Sequence, residues 1–236
     1  MKSKPFFALA ALFLVLFFAN KINAQGNNSE TDSTRLHTFY LYLFNGYAVS
    51  YDLYSEEKSS VRLRLDFSAA HNDLNSDAEQ TYSTSNGYSS KTSSNSESRD
   101  NNFSVTLSSY YIYSFYNSKL GQAYIGAGPL IGYSRYSYGS STTYSDTLQS
   151  YYSYDSQNKN YSVGIVFLAG IRGYITERIS FFAEANLNGG RTWTKSEGSS
   201  QYKGPNNYYS TQANNSSGSG WFYSSQFIRA GISVSF

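Results

Sequence analysis

Residues 228–236 alternate without a break. Ile228, Ala230, Ile232, Val234 and Phe236 are apolar, and Arg229, Gly231, Ser233 and Ser235 stand between them. Successive side chains of a β-strand point to opposite faces, so this segment has one wholly apolar face and one polar face. A helix would scatter the same residues around its circumference. The sequence then ends on an aromatic residue. Such a strand predicts a sheet that separates two media, one that accepts a terminal phenylalanine and one that accepts an arginine.

The same rhythm recurs upstream. Val61, Leu63, Leu65 and Phe67 alternate with Arg62, Arg64 and Asp66. Phe103, Val105 and Leu107 open a further strand that continues through Tyr111, Tyr113 and Phe115. Ala123, Ile125, Ala127, Pro129, Ile131 and Tyr133 oppose Tyr124, Gly126, Gly128, Leu130 and Gly132. Proline lacks a ladder donor, so a bulge or kink is expected at Pro129. Val163, Ile165, Phe167, Ala169 and Ile171 oppose Val166, Leu168 and Arg172, and Ile179, Phe181, Ala183, Ala185 and Leu187 oppose Ser180, Phe182, Glu184 and Asn186. Each segment has room for the roughly 9–11 residues with which a tilted strand crosses a bilayer.

The connections alternate in length. Short links fall near 55–59, 117–121 and 176–178, and long ones near 72–101, 139–159 and 195–220. Short turns on one side and long loops on the other are the pattern of a transmembrane barrel, which places the C-terminus on the periplasmic side. The predicted fold is all-β, a transmembrane antiparallel up-and-down β-barrel. Its beginning is ambiguous. Phe39, Leu41, Leu43, Tyr47, Val49, Tyr51 and Leu53 share one parity, so residues 38–54 read as a single strand and give seven in all. A hairpin at Asn45-Gly46 gives eight. A weak leading strand within 26–37 is the other way to an even count, though its polar sequence argues against it. Eight strands are expected, because single-chain bacterial barrels have even counts.

The N-terminus agrees with export. Lys2 and Lys4 precede an apolar run over 6–19, and Ile22-Asn23-Ala24 ends on a small residue. Residues 1–24 are therefore expected to be a signal peptide, 25–35 a flexible tail and 36–236 the barrel. Loss of Lys2, Lys4 and Lys21 with the leader turns the formal charge from +2 to −1, so no basic surface for nucleic acid is expected. The absence of cysteine leaves closure of the sheet as the source of stability. Mean hydropathy is negative, because a strand wet on one face averages to neutral.

Parity puts Arg62, Arg64, Asp66, Arg172, Glu184 and Arg229 in the lumen. An eight-stranded barrel is just wide enough for side chains to fill, and a buried charge must pair or meet water. The expectation is an arginine–carboxylate network, with Glu184 and Asp66 flanked by arginines, that plugs the barrel. A narrow passive pore is the alternative. A catalytic site is not expected. Ser68, His71 and Asp73 would have to converge at the rim to make a hydrolase, and a solvated rim histidine is the simpler reading. No metal-ligand spacing and no phosphate loop is present, so no metal or cofactor is expected.

The long connections share a vocabulary of Tyr, Ser, Asn, Gly and Thr. Tyrosine beside small polar residues suits binding loops, because it offers wide amphipathic contact at low entropic cost. Tyr82, Tyr88, Tyr152, Tyr154, Tyr208 and Tyr209 are the candidate loop contacts. Asn86-Gly87 lies amid alternating residues and suggests a hairpin that extends the strands above the membrane. Tyr133, Tyr136, Tyr138 and Tyr161 are read as the outer aromatic girdle.

The signal peptide, the alternating strands, the turn-and-loop asymmetry and the terminal Ile232, Val234 and Phe236 together resemble the small outer-membrane β-barrel proteins, the OmpA/OmpX-like porin-family group. The resemblance covers residues 36–236. It implies a bacterial outer-membrane location, contact with outer-membrane lipid, and recognition of the C-terminal strand by the barrel-assembly machinery. It carries over no catalytic or ligand residue. The expected role is a structural and surface-interaction scaffold whose loops capture an extracellular glycan or protein.

Overall fold

The computed structural model describes residues 37–55, 58–83, 89–145, 150–204 and 208–236. The expected signal peptide, the tail, Tyr88 and, apart from His37, the weak leading strand within 26–37 lie outside the described residues, as does the side chain of Tyr82.

Eight strands follow one another in chain order: β1 (Thr38–Phe44), β2 (Tyr47–Ser55), β3 (Ser59–Ser83), β4 (Ser89–Asn117), β5 (Gly121–Ser145), β6 (Ser150–Tyr174), β7 (Ile179–Lys203) and β8 (Tyr209–Ser235). Each is antiparallel to the next, and β8 returns to β1 to close an up-and-down barrel. Leu41 pairs with Ile232 and Phe39 with Val234 across the seam. His37 and Phe236 exchange backbone hydrogen bonds of 3.2 and 3.0 Å, so the final aromatic is tied into the closure. Closure gives every strand two partners at this level, the condition for β-structure in hydrocarbon.

The residues with apolar parity form the outside wall. Ile131, Ile165, Phe167, Ile171 and Phe181 are each more than half exposed, while Tyr40, Tyr42, Tyr110, Tyr124 and Val166 on the other parity are almost wholly buried. The inside-out distribution is what two different solvents impose. The aromatic collar is partly corrected. Tyr133 and Tyr161 do stand side by side on the outer face, with ring centroids 5.3 Å apart, and Trp193 pairs with Tyr161 in the next strand. Tyr136 and Tyr138 point to the opposite face, where Tyr136 donates to Asp100 at 3.0 Å and Tyr138 meets Tyr154.

The ambiguity over residues 38–54 resolves as a hairpin. Asn45 (φ 57°) and Gly46 (φ 123°) are both left-handed, conformations for which asparagine and glycine are suited. Tyr42 pairs with Ala48, so an odd number of residues lies between them and the apolar parity runs through the turn unbroken. Of the bulge or kink expected at Pro129, a bulge is absent: the β4–β5 ladder lapses opposite Ser109 and Tyr110 and resumes in unchanged register. A register shift does occur in β8, between the pairs Glu184↔Arg229 and Asn186↔Gln226. It reverses parity, so that Trp221 and Tyr223 share the exposed outside with Ile228.

The stretches expected as long loops are largely strand. β3 to β8 each run for 25 to 29 residues, well over twice the roughly 9–11 that a bilayer requires. The β1–β2 hairpin stops early. β2 pairs with β3 only as far as Phe67, and β1 pairs with β8 only as far as Ala230. Above that level, among the described residues, six strands continue as a wall with no ladder joining β3 to β8.

Candidate functional site

The inward face of the closed section is built from side chains of all the strands. β3 sends in Arg62 and Arg64 two residues apart, because alternate residues share a face, with Asp66 next on the same side. β2 supplies Asp52, β6 Arg172, β7 Glu184 and β8 Arg229, and β1, β4 and β5 add tyrosines. Two clusters form. Arg62 bridges Asp52 (Nε to Oδ1, 2.8 Å) and Glu184 (Nη1 to Oε1, 2.5 Å). Glu184 also accepts hydroxyl hydrogen bonds of 2.7 Å from Tyr42 and from Tyr124, and Asp52 accepts one of 2.7 Å from Tyr40. One layer outward, Asp66 accepts from Arg64 at 2.9 Å and pairs with Arg229. Arg64 also donates to Asn186 at 3.1 Å and reaches Glu184 at 4.0 Å, which joins the two clusters. Arg172 lies 3.9 Å from Asp52.

Aromatic faces complete the layer. The Arg62 guanidinium carbon is 3.7 Å from the centroid of Tyr40 and that of Arg172 is 4.7 Å away; Arg64 lies 4.9 Å from Tyr110 and Arg229 5.3 Å from Tyr42. A guanidinium over a tyrosine face gains electrostatically from the ring quadrupole while staying desolvated. Four guanidiniums therefore face three carboxylates, and the tyrosines share in holding the surplus cation. The layer is a plug: Arg62, Glu184, Tyr40, Tyr42, Tyr110 and Tyr124 retain at most 2 % of their surface.

The six sequence-selected lumen residues thus meet in one network. The tyrosines and Asp52 escaped selection. Asp52 was readable from its parity opposite Tyr51 and Leu53, but tyrosine serves in both media and its parity alone carries no charge to notice. The terminal residues Ile232, Val234 and Phe236 lie on the outer face of the seam.

The rim residues do not converge. Ser68 has lumen parity and its hydroxyl bonds Ser104 at 2.8 Å, whereas His71 and Asp73 face outward. His71 Nδ1 lies 2.5 Å from Asn101 Oδ1, and Nε2 lies 3.0 Å from Asp73 Oδ2. Only imidazolium donates from both nitrogens, so the hydrogen bonds to Asn101 and then Asp73 raise the His71 pKa above its ordinary value. These contacts are fully present below the ordinary histidine pKa and fade as pH rises through the raised one. An NMR titration is expected to show the His71 midpoint above that of an unperturbed histidine, and Asp73→Asn is expected to lower it; an unmoved midpoint in the variant would remove the Asp73 contact.

The candidate binding tyrosines are scattered. Tyr152 and Tyr154 lie on the β6 part of the wall with inward parity, while Tyr208 and Tyr209 are exposed at its tip, with Tyr208 6.3 Å from Tyr202. Among the described residues no group of three metal-binding side chains gathers.

A sealed ring of strands with an apolar outside and a charged inside is the architecture of an outer-membrane β-barrel. Solved structures similar to the chain include CarO of Acinetobacter baumannii, with 10% identity over 88% of this chain and 100% of that one at a TM-score of 0.35. Another is a major outer membrane protein from Thermus thermophilus, with 11% identity over 86% and 97% of the two chains at a TM-score of 0.29. No protein-family model matches the sequence, and no curated protein does.

Proposed function

We propose that this outer-membrane β-barrel is a surface-interaction scaffold and that its binding element is the open wall above the β1–β2 hairpin. One observation carries the reading. Residues 68–78 of β3 and 209–228 of β8 each keep one edge without a partner strand among the described residues. Natural sheets cover or blunt such edges, because a bare row of N–H and C=O groups invites a further strand. Here two long edges flank the same gap. A protein ligand with an extended segment would add to either by strand augmentation, gaining main-chain hydrogen bonds, with the tyrosines of the wall as side-chain contacts. Asn45 covers only the foot of the gap, where its side-chain amide donates to the Ile228 carbonyl at 2.6 Å.

A passive pore would need an open path through the arginine–tyrosine layer, and the burial of Arg62, Glu184, Tyr40, Tyr42, Tyr110 and Tyr124 favours a filled lumen instead. The refolded protein is therefore expected to give no unitary conductance in planar bilayers; steady channels would favour the pore. The wall reading is tested by hydrogen exchange with peptides selected from a displayed library. Added amide protection along 68–78 or 209–228 is the expected footprint. Protection confined to residues 84–88, 146–149 and 204–208 would place binding in the connections between strands instead.

A further inference from the structure

The outer surface of β5, β6 and β7 carries an arrangement unrelated to the lumen or to the free edges. Arg135 pairs with Lys159, and Lys159 with Lys195, so three cations stand consecutively along one hydrogen-bonded row. They share the parity of Tyr133, Tyr161 and Trp193, which form the row two residues closer to the periplasm. The row begins beside Phe103 on β4 and ends beside Ser217 on β8, so neither flank supplies an acid. A fourth cation, Arg191, lies two residues below Trp193 on the same outward face, opposite Trp221. Its guanidinium donates to Ser219 at 3.2 Å and sits 5.7 Å from the Trp193 ring.

Like charges directly opposite one another on neighbouring strands repel. Three in a row is a local conflict that the fold itself does not repay. Among the described residues the one acid in reach is Glu197, 3.8 Å from Lys159 and well exposed, a pair of the kind that contributes little. The side chains of Arg135 and Lys195 have no ion pair or hydrogen bond among the described residues. Charge is also segregated by depth: the cations lie next to the aromatic collar, while Glu197 and Asp155 lie farther out on the same face. Conflicts of this sort in an otherwise consistent surface mark functional positions.

The location says which anion relieves the conflict. Aromatic side chains of a collar sit at headgroup level, and cations just beyond them meet lipid phosphates. Arg191 is the second sign, since it puts a further cation on the lipid-facing side of the collar, where among the described residues its charge meets the Ser219 hydroxyl and the Trp193 ring but no acid. We infer that Arg135, Lys159, Lys195 and Arg191 form a binding site for the phosphate groups of a phosphorylated glycolipid of the outer leaflet, whose acyl chains lie against Ile131, Val163 and Ile165. Cross-strand spacing of about 5 Å per step lets the row span two phosphates on one headgroup. The site fixes the barrel in its lipid environment independently of any ligand taken by the wall.

Native mass spectrometry of the refolded protein in neutral detergent tests this with three probes: a diphosphorylated lipid A, the same lipid with its phosphates removed, and inorganic pyrophosphate. The expected result is retention of the diphosphorylated lipid, little retention of the dephosphorylated one, and no displacement by pyrophosphate. The combined variant Arg135→Ser, Lys159→Ser and Lys195→Ser is expected to retain it at least about tenfold less. A charge-matched control, Lys58→Ser, Arg99→Ser and Lys203→Ser, is expected to bind as the unaltered protein does. Equal loss in the control reduces the effect to net charge and overturns the site, as does equal retention of the dephosphorylated lipid. Displacement by pyrophosphate assigns the row to free anions instead of lipid. Heat-modifiability of each variant confirms a closed barrel, and Lys195→Gln alone is expected to give an intermediate loss should the combined variant not fold.

Discussion

Replacing Glu184 with alanine is expected to lower the stability of the barrel by about 3–5 kcal/mol, the cost of leaving a buried charge without its partner. Glu184 is the hub where two arginines and two tyrosine hydroxyls end. Its loss leaves four guanidiniums facing only Asp52 and Asp66, and it strands the hydroxyls of Tyr42 and Tyr124 away from water. Conservative Glu184→Gln keeps an acceptor for the tyrosines but not the charge, so it should cost less than alanine and more than a surface change. Urea unfolding from lipid vesicles measures both. The opposite substitution gives a cross-check: Arg172 touches the network's carboxylates through one contact at 3.9 Å, so Arg172→Met should cost much less than Glu184→Ala. If Glu184→Ala proved neutral, the network would be a hydrated filling rather than a mutually dependent plug.

The second large effect is expected at the seam. A Cβ added to Gly231 would lie 1.9 Å from the Leu41 carbonyl oxygen and 2.9 Å from the Phe182 ring. Neither can yield cheaply. Leu41 is backbone of β1 in the ladder that closes the barrel, and Phe182 is wedged edge-on against Tyr40 and Tyr42 with centroids 5.3 and 4.8 Å away. Gly231→Ala should therefore exceed the usual overpacking cost of about 1–3 kcal/mol and reduce the yield of closed barrel. Gly173→Ala and Gly220→Ala, where an added Cβ meets nothing within 4 Å, are the controls and should behave as the unaltered protein. The compact and heat-extended bands on an unheated gel give the readout. A normal compact band for Gly231→Ala would mean that β1 docks more loosely than its register implies.

Alternation was visible in the sequence wherever the two faces of a strand meet different solvents. Val61 to Phe67 and Ile179 to Leu187 announced both the wall and the lumen charges, because each arginine or glutamate fell between two lipid-facing residues. Where both faces are wet the signal vanishes. The outer halves of β3 and β4 are serine, asparagine and charged residues on either side, so a ladder pairing Asn75 with Glu97 and Asp77 with Asn95 looked like loop. Parity was also blind to the Asn45-Gly46 turn, which returns the chain without changing which residues face out. The reverse failure occurred in β8, where the shift near Arg229 and Gln226 turns the odd-numbered Trp221 and Tyr223 outward although Ile228, an even-numbered residue, faces out as well. The plug shows the same limit: charged residues advertise themselves, whereas Tyr40, Tyr42 and Tyr124 became recognisable only once the arginines were seen lying against them.

The unequal heights of the strands have a consequence for distance. β3 continues past Phe67 to Ser83, roughly 50 Å along the strand and, at a barrel tilt near 40°, roughly 40 Å above the level at which the hairpin ends. A barrel with loops of a few residues stays within the sugar and headgroup layer of its own membrane. This one carries the paired ends of β3 and β4 on a stalk of hydrogen-bonded backbone well above its membrane, so a large body approaching the surface would meet them before it met the lipid.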